Sequence, residues 1–276
     1  MSLYGDLTGT RTAQERKLII LSEMQRPCYD NGKKFIVTDK LDRISQLLSD
    51  TSYVETQGNL FRLYSKVPLK ELNPEHLIVL STHADFVSNI RRPFVKVSYS
   101  QNLLLGTFDN SATNAAALYL LLEGNLPENV LVAFTGNEEY GMKGAAKLDQ
   151  CLQATLGVSP FYLALDVTDI GFRQKQFSIE NTFSLPRDTI ENLVHIVKGT
   201  GHRGYLYPNA LPDEAHQYSR IGALSCSLCV PTQGPMHSNK GCYMELSAYF
   251  NYIDVLEHLA RTFDPPCITR LEGMDI

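Results

Sequence analysis

The chain is predicted to be an α/β protein, a three-layer domain in which helices cover a mostly parallel central β-sheet. Two observations predict this class. Apolar runs of strand length recur along the chain, and helical patterns separate them. Continuous apolar runs are typical of strands buried on both faces. Strands that alternate with helices favour parallel pairing, because each helical crossover returns the chain to the same end of the sheet.

Four apolar runs predict the central strands. They lie at 76–82, 130–135, 161–165 and 223–230. Polar residues that could carry chemistry stand at or just beyond the end of each run. They are His83 after the first, Glu138 and Glu139 after the second, Asp166 at the end of the third and His237 in the loop after the fourth.

Helices are predicted between these strands. They lie at 111–122, 142–155, 186–198 and 243–261. Open α/β sheets bind ligands outside the carboxyl ends of their strands. The acidic and imidazole residues are therefore expected to converge on one edge of the sheet. Asp109 is expected to join them, because it opens the loop before the helix at 111–122.

Such a cluster of histidines and carboxylates predicts a metal site. These ligands suit zinc and other divalent first-row metals. Without metal, two carboxylates about 4 Å apart repel by roughly 4 kcal/mol at an effective dielectric of 20. Asp109, Glu139 and Asp166 would make three such pairs. Two dications would offset three negative charges and leave one positive charge for a bound hydroxide, which favours a two-metal hydrolytic centre.

Five short motifs occur in an order that resembles one family. They are 81–85 (Ser-Thr-His-Ala-Asp), 106–110 (Gly-Thr-Phe-Asp-Asn), 137–144 (Asn-Glu-Glu-Tyr-Gly-Met-Lys-Gly), 164–166 (Ala-Leu-Asp) and 236–238 (Met-His-Ser). Together they resemble the M28-type zinc aminopeptidases, within the clan that also includes the M20 and M42 peptidases. The resemblance covers the chain from about Leu60 to its end. It implies the phosphorylase/hydrolase-like fold of zinc peptidases.

The resemblance implies a ligand set for two metal ions. Asp109 would bridge them. His83 and Asp166 would complete one site, and Glu139 and His237 would complete the other. Zinc is the expected metal, with cobalt or manganese as alternatives.

The resemblance also implies roles for two catalytic residues. Glu138 would be the general base, taking a proton from the metal-activated water and later protonating the leaving amine. Asp85 would orient His83, since a metal-bound histidine usually donates its other ring N–H to a carboxylate. Related enzymes often have a cis peptide after the bridging aspartate, so one is expected between Asp109 and Asn110.

The chain departs from the M28-type pattern at two motifs and lacks the inserted domains of the M20 and M42 enzymes. After His237 the next acidic residue is Glu245, so the usual nearby acid is displaced. After Asp109 the family commonly has a small residue and a glycine, whereas this chain has Thr113 in that turn. Asp166 and His237 are 71 positions apart (237 − 166), and His83 and Asp109 are 26 apart (109 − 83). Neither gap holds a separate domain. We therefore expect one catalytic domain at 1–276, without a lid or dimerisation insert, and with a helical N-terminal segment at 1–58 packed on it.

Four further residues are candidates for the substrate pocket. They are Asp213, Glu214, Tyr140 and Met236. Related peptidases carry an acidic residue for the substrate ammonium near Asp213 and Glu214. The alternative is a helix cap with an acidic first turn after Pro212. Tyr140 and Met236 flank presumed ligands, and packing is an equal alternative for aromatic residues there.

Composition narrows the class of protein. The chain has 276 residues, of which 43% are hydrophobic and 20% charged, as in ordinary globular proteins. A net charge of −5 argues against a nucleic-acid partner. No signal peptide or membrane span is expected, so the predicted location is the cytoplasm. Cys226 and Cys229 have C-x-x-C spacing, but their apolar run favours buried, reduced, structural thiols.

One glycine motif resembles a dinucleotide-binding site but is predicted not to be one. Residues 199–204 match the dinucleotide pattern G-x-G-x-x-G. That pattern needs a preceding strand and a following helix. Here a helical pattern precedes it, so a glycine helix stop is the better interpretation.

The favoured function is a two-metal aminopeptidase acting on a peptide or small amide. A deacylase or amidohydrolase acting on N-acyl amino acids is the first alternative. Glutaminyl cyclase is the second, and it is disfavoured because such cyclases line their site with tryptophan and this chain has none. A non-enzymatic protein on a peptidase fold is the third, although all six core positions are present.

Overall fold

A computed structural model describes residues 11–26, 29–30, 34–35, 37–87 and 90–265. Its helices are α1 (Ala13–Met24), α2 (Val37–Leu48), α3 (Ser111–Glu123), α4 (Lys143–Leu156), α5 (Arg187–Gly199), α6 (Glu214–Arg220) and α7 (Leu246–Thr262). Its strands are β1 (Tyr29–Asp30), β2 (Lys34–Phe35), β3 (Val54–Gly58), β4 (Phe61–Ser65), β5 (Ile78–His83), β6 (Val95–Ser98), β7 (Leu103–Gly106), β8 (Val130–Thr135), β9 (Phe161–Thr168), β10 (Phe177–Glu180), β11 (Gly204–Tyr207), β12 (Ser225–Gln233) and β13 (Cys242–Glu245).

The central sheet is mixed rather than mostly parallel. Its strands follow the order β3-β4-β8-β5-β9-β12-β13-β7-β6, and β10 and β11 extend it beside β12. Strands β8, β5, β9 and β12 are parallel to one another, as the apolar runs predict. The flanking strands β3, β4, β13, β7 and β6 pair antiparallel. Short connections join β3 to β4 and β6 to β7, and such connections favour antiparallel pairing because parallel pairs need a long crossover.

Helices cover both faces of the sheet and make three layers. Alternate residues of β5 point to opposite faces. Ile78 and Leu80 join a large core with α1, α2, α3 and α7, while Val79 joins a smaller core with α4 and α6. Helix α3 is buried from Ser111 to Leu121, as expected for a helix that is apolar on all sides. The predicted fold class, one α/β domain with helices on a central sheet, is confirmed.

The structure corrects several predicted boundaries. Strand β5 includes His83, and β9 runs past Asp166 to Thr168. The helix predicted at 243–261 begins only at Leu246, because residues 242–245 form β13. In that strand Cys242 and Met244 are buried while Tyr243 is exposed, which is the two-residue period of a strand.

Two minor predictions on cysteine and glycine agree with the structure. Cys226 and Cys229 are buried in β12. The glycine motif at 199–204 follows α5 and leads into β11, and Gly201 has a φ of +74°. A positive φ just past a helix end is the usual stop that glycine permits.

Within the described part of the chain, no helix is long and apolar enough to cross a membrane. In the N-terminal range 1–58, the described elements are α1, α2, the short pair β1 and β2, and β3. Helix α1 packs along α3. This packing places the end of α1 beside the loop that precedes α3.

Candidate metal centre

The candidate site lies at the carboxyl ends of the parallel strands. In the sheet, β8 lies on one side of β5 and β9 on the other. The next central strand after β5 is β8, on one side of β5, and the next after β8 is β9, on the other side. Open α/β sheets bind ligands at such a switch point. His83 ends β5, Glu138 and Glu139 follow β8, and Asp166 lies near the end of β9.

Asp109 is brought to the same place by a loop that is tied to two strands. The Asn110 amide donates from Nδ2 to the Leu165 carbonyl on β9 at 2.7 Å. The Asn114 amide donates to the His83 carbonyl on β5 at 2.8 Å. The peptide bond between Asp109 and Asn110 is cis, which confirms the expectation drawn from the family resemblance.

Thr113, the departure from the family motif, fits this loop. It is buried, and its hydroxyl lies 2.8 Å from the Thr82 hydroxyl on β5. It also lies against the Asn110 side chain. A buried hydroxyl needs such partners, because burying it without a hydrogen bond is costly. The larger side chain is therefore accommodated by polar contacts beneath the site.

The five predicted metal ligands form two groups around Asp109. His83, Asp109 and Asp166 offer one group, and Asp109, Glu139 and His237 offer the other. Within each group the candidate ligand atoms lie within 4.8 Å of one another. The two groups share Asp109, which is the geometry that a bridging carboxylate needs.

The two oxygens of Asp109 face different groups. Oδ1 lies 3.2 Å from Nε2 of His83, which is 3.8 Å from Asp166 Oδ1. Oδ2 lies 2.7 Å from Nε2 of His237, which is 3.8 Å from Glu139 Oε1. The residues thus divide into the two groups that the family resemblance implied for two metals.

The two halves of the site differ in exposure. The His83 side chain is 3% exposed and that of His237 is 55% exposed. The half that holds His83 is therefore enclosed, and the half that holds His237 faces solvent. Substrate approach is easier from the His237 side.

Charges in the cluster are strongly coupled. Burial alone would lower the pKa of His83, but Asp109 and Asp166 raise it well above its usual value. The hydrogen bond to Asp109 raises the pKa of His237 to about 9. Burial opposes ionisation of Asp109, yet His237 and His83 hold the pKa of this carboxyl well below its usual range. The carboxylates around the two imidazoles thus favour positive charge at this place.

Burial also raises the pKa of three other acids in and beside the cluster. The pKa of Glu138 rises to about 8, that of Glu139 to about 7 and that of Asp166 to about 6. Removal from water disfavours the charged form of each carboxyl, and neighbouring acids add to the effect. Groups with such shifts are enriched at functional sites.

Asp85 contacts the two glutamates more closely than it contacts His83. Its Oδ1 accepts the Glu138 backbone N–H at 3.1 Å, and its Oδ2 accepts that of Glu139 at 3.2 Å. Nδ1 of His83 is 3.6 Å away from Oδ1, beyond a normal hydrogen bond, and has no hydrogen-bond partner among the described residues. Asp85 therefore holds the Glu138–Glu139 turn as well as lying beside the imidazole.

A cavity of about 200 Å³ opens beside the cluster. Two of the predicted pocket residues, Asp213 and Met236, line it. Asp213 also caps α6, because its Oδ1 accepts the Ala215 N–H at 2.9 Å. The cap prediction is thus confirmed for Asp213, and the same carboxyl reaches the cavity wall.

The other two predicted pocket residues lie elsewhere. Tyr140 is 53% exposed and does not line the cavity. Glu214 is 3% exposed, but its carboxyl turns into the sheet, where it accepts a hydrogen bond from the Ser81 hydroxyl. Asp213 is the N-cap and Glu214 the first residue of α6, and side chains at these two positions point in different directions. The two neighbouring carboxyl groups therefore have different surroundings.

Sequence reasoning missed several residues of the cavity wall. Glu180 is the clearest, since it is 4% exposed and lines the cavity at the end of β10. Burial raises the pKa of Glu180 to about 7. Residues 177–180 read Phe-Ser-Ile-Glu, a short strand-like alternation. Because β10 runs antiparallel to β12, its carboxyl end points away from the edge that the parallel strands share, so a strand-end argument would not have placed Glu180 at the cavity.

Comparison with known proteins gives structural neighbours only. No protein-family model and no curated protein sequence matches the chain. Among solved structures, a TET aminopeptidase from a marine-sediment Thaumarchaeota archaeon is similar over 92% of this chain and 98% of its own, with a TM-score of 0.71 and 13% identity. An aminopeptidase from Desulfurococcus kamchatkensis is similar over 92% and 96% of the two chains, with a TM-score of 0.66 and 12% identity.

A zinc aminopeptidase from Bacillus subtilis is a more partial neighbour. It matches 72% of this chain and 48% of its own, with a TM-score of 0.54 and 13% identity. Structural similarity at sequence identities this low establishes the fold alone. The narrower resemblance to M28-type enzymes stays a prediction, because the neighbours include TET aminopeptidases as well.

Proposed function

We propose that this chain is a metal-dependent aminopeptidase that removes the N-terminal residue of peptides. The observation that carries the proposal is the pair of ligand groups that share Asp109. Structural neighbours that are aminopeptidases support it by analogy of fold. We further propose that residues 1–276 act as a single catalytic domain.

The donor set fits two divalent cations. Imidazole nitrogen and carboxylate oxygen are the ligands that zinc accepts in catalytic sites. His83 and Asp166 would hold one ion, Glu139 and His237 the other, and Asp109 both. Such ions, when bound, supply Lewis acidity for a scissile carbonyl and lower the pKa of water. Cobalt and manganese suit the same ligands.

Glu138 is proposed as the general base. Burial raises the pKa of Glu138 above its ordinary value, whereas bound dications would lower it again and favour the carboxylate that a general base requires. Its carboxylate would take the proton of the attacking water and later deliver it to the nitrogen of the leaving amine. Asp85 fixes the backbone of Glu138 and Glu139 together, so the base and its neighbouring ligand keep their relative positions.

The cavity wall is proposed to bind the free N-terminus of the substrate. Asp213 and Glu180 line the cavity as acids that are already hydrogen-bonded to Asn181 and Ser178, and Met236 lines it as an apolar residue. A cationic α-ammonium would offset their charge, whereas an N-acylated substrate would leave it unpaired. Burying an unpaired charge is expensive, so the wall favours a free amine.

A substrate panel tests this function. Leucyl, lysyl and glutamyl peptides would be assayed with free and with acetylated N-termini, in zinc, cobalt or manganese and after chelation. We expect hydrolysis of the free peptides only, loss of activity on chelation and recovery on adding metal. Faster release of acyl groups from N-acyl amino acids would favour the deacylase alternative, and full activity of protein shown to be metal-free would exclude the proposal.

A further inference from the structure

Glu214 is buried directly beneath the metal cluster, although it has no place in the chemistry described above. It is the first residue of α6, next to Asp213, and only 3% of it is exposed. Asp213 lines the cavity, whereas the carboxyl of Glu214 lies against the face of the sheet over the neighbouring strands β5 and β8. A carboxyl is rarely buried so deeply unless it is hydrogen-bonded.

Its two oxygens join the strands that carry the site. Oε2 accepts a hydrogen bond from the Ser81 hydroxyl at 2.7 Å, and Oε1 accepts one from the Thr135 hydroxyl. Ser81 lies two residues before His83 on the same face of β5. Thr135 is paired with His83 across the sheet and ends β8, three residues before Glu138.

We propose that Glu214 is a positioning residue for the metal centre. By accepting both hydroxyls, one carboxyl fixes the end of β5, which presents His83, relative to the end of β8, which presents Glu138 and Glu139. It also places an acidic group below the cations that the site is proposed to hold. This inference rests on the proposed metal centre, but it requires no particular substrate.

Another buried acid supplies a matched control. Asp149 on α4 is also 3% exposed, and its carboxyl accepts hydrogen bonds from the Tyr162 hydroxyl and the Gln153 amide, each at 2.7 Å. The Tyr162 ring stacks on Tyr218 with centroids 3.7 Å apart, and the Tyr218 hydroxyl lies 2.7 Å from that of Ser81. Asp149 and Glu214 therefore lie in the same layer between sheet and helices, each in its own hydrogen-bonded group, and two stacked rings separate the groups.

The two acids differ in what they join. Glu214 connects strand ends that present proposed ligands. Asp149 instead accepts hydrogen bonds from Gln153 on α4 and from Tyr162 near the start of β9, away from those ends. Substituting either acid by its amide removes a charge and one of two accepting oxygens. A purely structural role would make the two variants alike.

The test compares Glu214→Gln with Asp149→Asn in the full chain. Zinc affinity would be measured by competition with a chromophoric chelator, together with the melting temperature with and without zinc. We expect Glu214→Gln to weaken zinc binding by about 10–100-fold, as is usual when a group that orients ligands is lost. Asp149→Asn should lower the melting temperature while zinc affinity stays within about twofold of the unmodified protein.

Zinc affinity in Glu214→Gln equal to that of the unmodified protein would overturn the inference, and so would an equal loss in both variants. If Glu214→Gln does not fold, Ser81→Ala keeps the acid and removes one of its two links. It should weaken zinc binding in the same direction, and unchanged binding would again overturn the inference. Because zinc binding is read without substrate, a protein that binds two zinc ions and cleaves no peptide would refute the proposed function alone.

Discussion

Glu138 and Glu139 are adjacent in sequence, yet the structure gives them different surroundings. Glu139 lies 3.8 Å from His237 and belongs to a ligand group, whereas Glu138 belongs to neither group. Asp85 binds the backbone N–H of both residues. The order of the motifs was enough to predict that Glu139 shares a ligand group with Asp109 and His237 and that Glu138 stands apart from it. The dual contact of Asp85 could not, because a backbone N–H leaves no signal in the sequence.

Substitution should separate these two glutamates. Glu138→Gln should lower kcat by about 10²–10⁴-fold while both metals stay bound, since general-base help is lost and no ligand is changed. Glu139→Gln should instead weaken metal binding. Steady-state kinetics and elemental analysis of both purified variants check this. Two variants that keep two metals and the turnover of the unmodified protein would show that the roles are wrong.

At the scale of elements, the strands that carry ligands were the most predictable. Strands β5, β8 and β9 are continuous apolar runs, and their signal needs no knowledge of tertiary contacts. Short strands such as β10 and β13 were missed because four residues of alternating polarity also fit a loop or the start of a helix. Glu180 was missed with β10, since its strand was not recognised.

The end of α1 supports the Asp109 loop through a contact that the sequence does not reveal. Gln25 is 5% exposed; its amide donates to the Thr107 carbonyl at 3.0 Å and accepts from the Thr107 hydroxyl at 2.7 Å. It also contacts the Ser111 hydroxyl. Thr107 lies two residues before Asp109 and Ser111 two residues after it. The Gln25 side chain therefore contacts the loop on both sides of Asp109.

Removing this amide should destabilise the fold and the site together. Gln25→Leu removes the acceptor of the buried Thr107 hydroxyl, while the Thr107 carbonyl keeps the Ser111 hydroxyl as donor. Leaving one buried donor unpaired costs about 1–3 kcal/mol of unfolding free energy. Urea unfolding with and without zinc measures the loss. Gln46→Leu is the matched control, because Gln46 is exposed on α2, and we expect a change within about 0.5 kcal/mol. Equal effects of the two substitutions would contradict the support proposed for α1.

At the scale of the whole molecule, buried ionisable groups make the metal-free protein sensitive to pH. Burial raises the pKa of Glu138 to about 8 and that of Glu214 to about 7, above their usual value of 4.5. Between pH 4.5 and about 8 the folded state therefore binds more protons than the unfolded state. The free energy of unfolding therefore falls as pH rises through this window.

The two histidines act in the same direction. The pKa of His237 is raised to about 9 by the hydrogen bond to Asp109, so its stabilising contribution is lost as pH rises through that value. Asp109 has a lowered pKa, and its contribution is lost only in acid, well below this window. Chelator-treated protein should thus unfold at a lower urea concentration at pH 8.5 than at pH 6. A midpoint that is equal or higher at pH 8.5 would contradict this assignment of charges.

The central claim is that two metals share Asp109, and anomalous diffraction from zinc-loaded crystals tests it most directly. We predict two peaks about 3.5–4 Å apart. Each should lie about 2.0–2.2 Å from one oxygen of Asp109, with His83 and Asp166 on the first ion and Glu139 and His237 on the second. A single peak, or two peaks that do not share Asp109, would contradict the account.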